Sequence, residues 1–167
     1  MEPMHHLPDG TWQYSPRDLI AWLEGDCAAW CEREHAEYRA AGEQGPPPHD
    51  PDEQDDELRL AAKYGLEHEE AHLERLKASH PDLVEIEPFS DGATARTLDA
   101  LRAGVSVIFQ AQLQGNGGMG IADFVQLSHG TSSLGDWPYE PLDTKLARSA
   151  QPYLLLHLRV HSGPLHP

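Results

Sequence analysis

Periodic hydrophobic positions begin at residue 15. Ser15-Pro16 followed by Asp18 reads as a helix start, with an N-cap, a proline in the first turn and an acid at the third helical position. Leu19, Leu23, Cys27, Trp30, Cys31, Glu34 and Tyr38 follow at helical spacing, which carries the helix to about Gly42 with a kink at Gly25. The next fifteen positions, EQGPPPHDPDEQDDE at 43–57, are proline-rich and acidic and read as a solvated loop. A second helical stretch, ELRLAAKYGLEHEEAHLERLKASH, runs to His80 and is expected to be interrupted or bent near Gly65.

The period then changes from helical to strand-like. DLVEIEP alternates apolar and polar residues, as a half-buried strand does. ATARTLDALRAG predicts a short helix ending at Gly104, and VSVIFQAQL is a β-prone run. QGNGGMG holds four glycines in seven residues and predicts a tight hairpin connection to the partner strand GIADFVQL. A loop through SSLGDWP leads to a short strand at YEPLDTK, and SAQPYLLLHLRVHSG reads as a last helix with an apolar face. No internal repeat is visible.

This order predicts an α/β fold with a mixed central β-sheet flanked by helices and a helical N-terminal part. The expected organisation is an N-terminal tail over 1–13 and a single domain over 14–167. Within it, 14–80 form the helical part with the acidic loop 43–57, and 81–167 form a β-rich core with the last helix. A chain of 167 residues suits one domain with a real core.

Charge sharpens the picture. The formal net charge is −16, and 23 of the 28 acids but only 7 of the 12 Lys and Arg lie before residue 92. The remainder of the chain is balanced. Such a chain adheres poorly to nucleic acid on charge alone, because nonspecific affinity for phosphate comes from Lys and Arg; a bound divalent ion would change the local field. No run of apolar residues reaches the length of a membrane helix. MEPMHHLPDG has neither a basic nor an apolar leader segment, so no secretory signal is expected in it. The two cysteines, Cys27 and Cys31, read as helix-core thiols of a reduced, cytoplasmic protein.

Candidate chemistry gathers around the predicted strands. Asp143 and Lys145 sit i, i+2 and so share one face of a strand; Asp123 lies just past the glycine turn; His68 and Glu69 lie on the preceding helix after Gly65. Hydrolysis of a phosphodiester near neutral pH needs help on both sides of phosphorus. Two carboxylates can hold Mg²⁺ or Mn²⁺. A lysine can orient water or steady the phosphorane charge, and a histidine nitrogen shifts preference toward Mn²⁺. Taken singly, Asp143 with Lys145 reads as an ion pair and Asp123 as a turn residue; only their joint arrangement points to chemistry.

The same residues carry a family resemblance. Gly65-Leu66-Glu67-His68-Glu69 on a helix, Gly120-Ile121-Ala122-Asp123-Phe124 on a hairpin strand and Asp143-Thr144-Lys145 before a final helix resemble the motifs of RecB-like nucleases of the PD-(D/E)XK superfamily. SPRDLIAWLE, ATARTLDALRAG and LGDWPYEPLDTKLARSAQP resemble a bacterial branch of RecB-like nucleases, and the resemblance spans about residues 14–162. It implies a restriction-endonuclease-like core and metal-dependent DNA cleavage. His68, Asp123 and Asp143 would be the metal ligands, with Lys145 as the catalytic amine beside Asp143 and Asp123. Glu69 would lie just outside the ligands and Arg148 would meet phosphate. The family's final helix usually carries Gln and Tyr four residues apart; the matching positions here are His157 and His161. The resemblance implies DNA with single strands or free ends as substrate; members are usually longer, which implies a helicase or additional nuclease region as companion. Related nucleases bind an iron–sulfur cluster through four cysteines, a set this chain does not hold.

Two other readings stay open. His68-Glu69-Glu70-Ala71-His72 also matches H-E-x-x-H, in which two histidines one turn apart bind Zn²⁺ and the Glu acts as base. Glu70 places a charge where such helices are usually uncharged, and no third ligand follows at a known spacing. The alternative is a catalytically silent interaction or regulatory module on the nuclease fold. His5 and His6 carry no assigned role.

Overall fold

The computed structural model describes residues 4–7, 9–42, 56–115, 117–130 and 137–142. The acidic loop up to residue 55 and the predicted last helix lie outside the described residues. The chain divides into two compact units, Met1–Glu53 with Gln114–Met119 and Gln54–Leu113 with Gly120–Pro167.

In the first unit, β1 (His5–His6) and β2 (Trp12–Gln13) form an antiparallel ribbon. Helix α1 (Pro16–Glu24) starts where the sequence predicts it. Asp18, buried at the third helical position, accepts from the Ser15 amide at 2.6 Å, the Ser15 hydroxyl at 2.8 Å and the Met4 amide at 3.0 Å, so its carboxylate ties the helix start to the chain before it. The expected kink is a complete break. Gly25 adopts φ 154° and ψ 156°, a conformation essentially reserved for glycine, and α2 (Asp26–Ala40) begins directly after it. Arg33 on α2 stacks 4.0 Å over the Trp12 ring and bonds Glu37 at 2.6 Å. The cysteines are not core thiols: Cys27 is exposed and Cys31 half-buried, because Ala36 is the buried position of this helix. Partial burial, and then the neighbouring Cys27, push the Cys31 thiol above its ordinary pKa.

The second unit opens with α3 (Asp56–Ser79). The helix passes through Gly65 without a break, contrary to the expectation from sequence. Glycine costs about 1 kcal/mol in a helix, and the strong helix formers on both sides, Ala61-Ala62-Lys63 and Leu66-Glu67, outweigh it. The sheet runs in the order β3 (Val84–Glu85), β4 (Val107–Gly115), β5 (Gly118–Leu127) and β6 (Tyr139–Leu142). β3 is parallel to β4, reached through helix α4 (Ala93–Ala103), and β6 is antiparallel to β5, so the sheet is mixed. α4 stops at Gly104, whose φ of 71° is the left-handed helix stop that glycine adopts without strain.

Two apolar clusters lie on opposite faces of this sheet, since the neighbours Val107 and Ile108 belong to different ones. Ile108, Ala111, Leu113, Ala122, Val125 and Tyr139 pack with Ala93, Ala100 and Leu101 of α4. Val107, Phe109 and Phe124 pack with Leu73 and Leu76 of α3. Each fully buried side chain of this size contributes about 1.5–3 kcal/mol, enough to fix α3 against its face. The fold is thus α/β, with a mixed sheet flanked by helices. Among the described residues, no helix is long and apolar enough to cross a membrane.

Candidate functional site

The heptad spacing of α3 decides which of its residues reach the sheet. Leu73 and Leu76 are the packed positions, and Glu69 lies one turn before Leu73 on the same stripe. Glu69 is accordingly half-buried, and its Oε1 accepts a hydrogen bond from the Gln110 side-chain amide at 2.5 Å, across 41 residues of sequence. Hydrogen bonds to charged groups contribute about 1.5–3 kcal/mol, so this one fixes the carboxylate rather than decorating it. His68, on the adjacent stripe, is exposed.

Gln110 reaches Glu69 because the strand is irregular there. Its φ of 56° is left-handed, in the middle of a strand and on a residue with a full side chain. Strict alternation would place Ala111 with Val107 and Phe109; instead Ala111 and Leu113 pack with Ile108 on the α4 side. One extra residue has been inserted and the phase of the strand reversed, which is the effect of a β-bulge. β5 changes phase as well. Ala122 and Val125, three apart, both pack toward α4, and Phe124 packs toward α3. The change falls at Asp123, a half-buried residue.

The next turn of α3 meets the same strand. His72 is half-buried and stands edge-on to Phe124, the residue after Asp123, with ring centroids 5.0 Å apart. The Arg75 guanidinium lies 3.2 Å from His72 Nδ1. A guanidinium only donates, so Nδ1 is the acceptor and the ring proton belongs on Nε2. Partial burial lowers the His72 pKa, and the nearby Arg75 and His68 charges lower it further. These surroundings favour the neutral form of His72, in the tautomer whose Nε2 is protonated.

Of the residues singled out from sequence, His68 and Glu69 lie on the α3 turn before His72, and Asp123 lies at the β5 phase change. Asp143, Lys145, Arg148, His157 and His161 lie outside the described residues. Among the described residues, no group of three or more His, Cys, Asp or Glu side chains could hold a metal ion. Sequence reasoning missed Gln110 and the Arg75–His72 contact. VSVIFQAQL reads as one uninterrupted strand, and only the glutamines inside an apolar run hint at a change of phase.

No family model, curated protein or solved structure matches the chain.

Proposed function

We propose that this chain is a metal-dependent nuclease that hydrolyses DNA phosphodiester bonds on a RecB-like, PD-(D/E)XK-type core. The observation that carries the reading is the packing of the His68–His72 turn of α3 onto the two strand irregularities, through Glu69 to Gln110 and through His72 to Phe124 beside Asp123. Residues 41 and more positions apart in sequence thereby meet, which supports a site built from the helix and hairpin motifs. The β5–β6 register supports the second carboxylate: Leu142, which Asp143 follows, is the partner of Phe124, which follows Asp123.

The donor chemistry suits Mg²⁺ or Mn²⁺, with carboxylate oxygens from Asp123 and Asp143 and one imidazole from His68. When bound, such an ion withdraws charge from the phosphate and eases the ionisation of water. Lys145 would orient the attacking water and hold the negative charge that builds on the phosphate oxygens. Glu69, fixed by Gln110, would accept a proton from water, and Arg148 would grip a phosphate. His157 and His161 would face the substrate in place of the family's Gln and Tyr. With a net charge of −16, the isolated chain would grip DNA weakly and lose activity with added salt, leaving loading to a helicase or further nuclease region.

The zinc-hydrolase arrangement fits less well. It needs His72 to offer Nε2 to the metal, and Arg75 holds the ring in the opposite tautomer. The acid balance favours one other reading, a silent interaction module, which need not bind Mn²⁺ at all. Cleavage of labelled single- and double-stranded DNA with Mn²⁺, Mg²⁺ or EDTA tests the proposal. Mn²⁺-dependent cleavage by the wild type, lost in Lys145→Ala and Asp143→Ala, is the expected result; a folded wild type that cleaves nothing would refute it.

A further inference from the structure

Gln110 has two features that packing alone does not require. Its backbone is left-handed at φ 56°, a conformation that L residues other than Asn, Asp and His seldom adopt. Its amide is spent on the carboxylate of a residue on another element, at 2.5 Å and half-buried. In a regular strand the side chain after Phe109 would project to the opposite face, toward α4. The bulge is what sends it to α3 instead. A strained backbone that persists in order to aim one polar side chain at another is the pattern of a functional support. The bond takes one oxygen of Glu69 and fixes the plane of the carboxylate, which leaves the second oxygen to accept a hydrogen bond from water, including a water held by a cation.

We infer that Gln110 is a positioning residue: through its left-handed bulge it holds Glu69 in the orientation that serves the divalent cation and the attacking water. The inference rests on the nuclease reading for its chemistry, and on the Glu69–Gln110 bond and the bulge for its geometry. Gln110 itself touches neither cation nor substrate. Supports of this kind change metal affinity or activity by about 10- to 100-fold when removed.

The test uses the full chain and two readouts, Mn²⁺ titration by calorimetry and DNA cleavage. Gln110→Gly is the informative variant. It removes the amide while suiting the left-handed backbone, so it stays folded, which thermal melting verifies. Gln110→Gly is expected to weaken Mn²⁺ binding and slow cleavage within that 10- to 100-fold range, mostly in kcat rather than KM. In a Glu69→Gln background the same change should have no further effect, because Gln110 acts through Glu69. Gln110→Glu should be impaired at neutral pH, since an ionised carboxylate cannot donate to Glu69 and repels it. A Gln110→Gly variant that binds Mn²⁺ and cleaves like the wild type would overturn the inference, and so would full additivity with Glu69→Gln. A wild type that binds no Mn²⁺ would overturn it as well. If the wild type binds Mn²⁺ and cleaves no DNA, the nuclease reading fails, and the calorimetric comparison alone decides the role of Gln110.

Discussion

The His72 ring stands edge-on to Phe124, with centroids 5.0 Å apart and planes at 81°. An edge-to-face pair of this kind directs positive ring edges at a negative ring face. It joins the helix turn that carries His68 and Glu69 to the strand residue that follows Asp123. Helix α3 is thereby fixed in rotation, since Leu73 packs beside it in the same cluster as Phe124.

The partial burial of His72 makes stability depend on pH. His72 has a folded pKa below its ordinary value of 6.5, from partial burial first and the Arg75 and His68 charges second. Below about pH 6.5 the unfolded chain binds a proton that the folded one resists, so unfolding is favoured as pH falls. Urea denaturation should show stability rising from about pH 5 to 7. His72→Phe should flatten that part of the slope while keeping the ring contact. An unchanged slope in the variant would assign the dependence elsewhere.

Tyr139 gives the opposite sign at high pH. Its hydroxyl donates to the Val105 carbonyl at 2.7 Å, and burial, with the Asp82 carboxylate adding to it, pushes its pKa up to about 12. The folded state keeps this proton after the unfolded state has lost it. Stability from this group is full below about pH 10 and declines as pH rises toward 12. Ultraviolet titration should show the Tyr139 hydroxyl ionising late. Tyr139→Phe should abolish that late step and cost about 1 kcal/mol for the lost hydrogen bond.

Gly104 is the point where backbone and packing restrict a residue together. Its φ is 71°, and an added Cβ would lie 3.3 Å from the Trp137 ring, whose indole N–H donates to the Leu101 carbonyl at 3.2 Å. Gly104→Ala is expected to lower unfolding stability by about 1–3 kcal/mol and to shift the Trp137 fluorescence. Ala at Gly65, inside α3 with open space around it, should instead stabilise the chain by about 1 kcal/mol. Paired denaturation curves would separate the two cases.

These contrasts show what the amino-acid pattern could and could not convey. The α4 stop at Gly104 was legible because a glycine after a helical stripe has one common use, and the Ser15 start was legible because cap, proline and acid coincide. The Gly25 break was legible as a kink only, since glycine marks the place of a distortion without its size. Gly65 misled, because helix formers on both sides decide there. The phase change at Gln110 was hidden: β-prone residues fill both halves of VSVIFQAQL, and a bulge alters which face each residue meets without altering composition. Of the site, His68, Glu69 and Asp123 were nominated by spacing and resemblance. The partner that orients Glu69 came from a contact between segments remote in sequence, which no local period encodes.

The central claim is that α3 and β5 contribute to one cation-dependent site. Its most direct test is Mn²⁺-dependent DNA cleavage by His68→Ala, Asp123→Asn and the double variant, with melting curves to verify folding. The account predicts that each single change removes most of the activity and that the double variant is little worse than either, as for groups that act as a unit. Undiminished Mn²⁺-dependent cleavage by folded Asp123→Asn would contradict it.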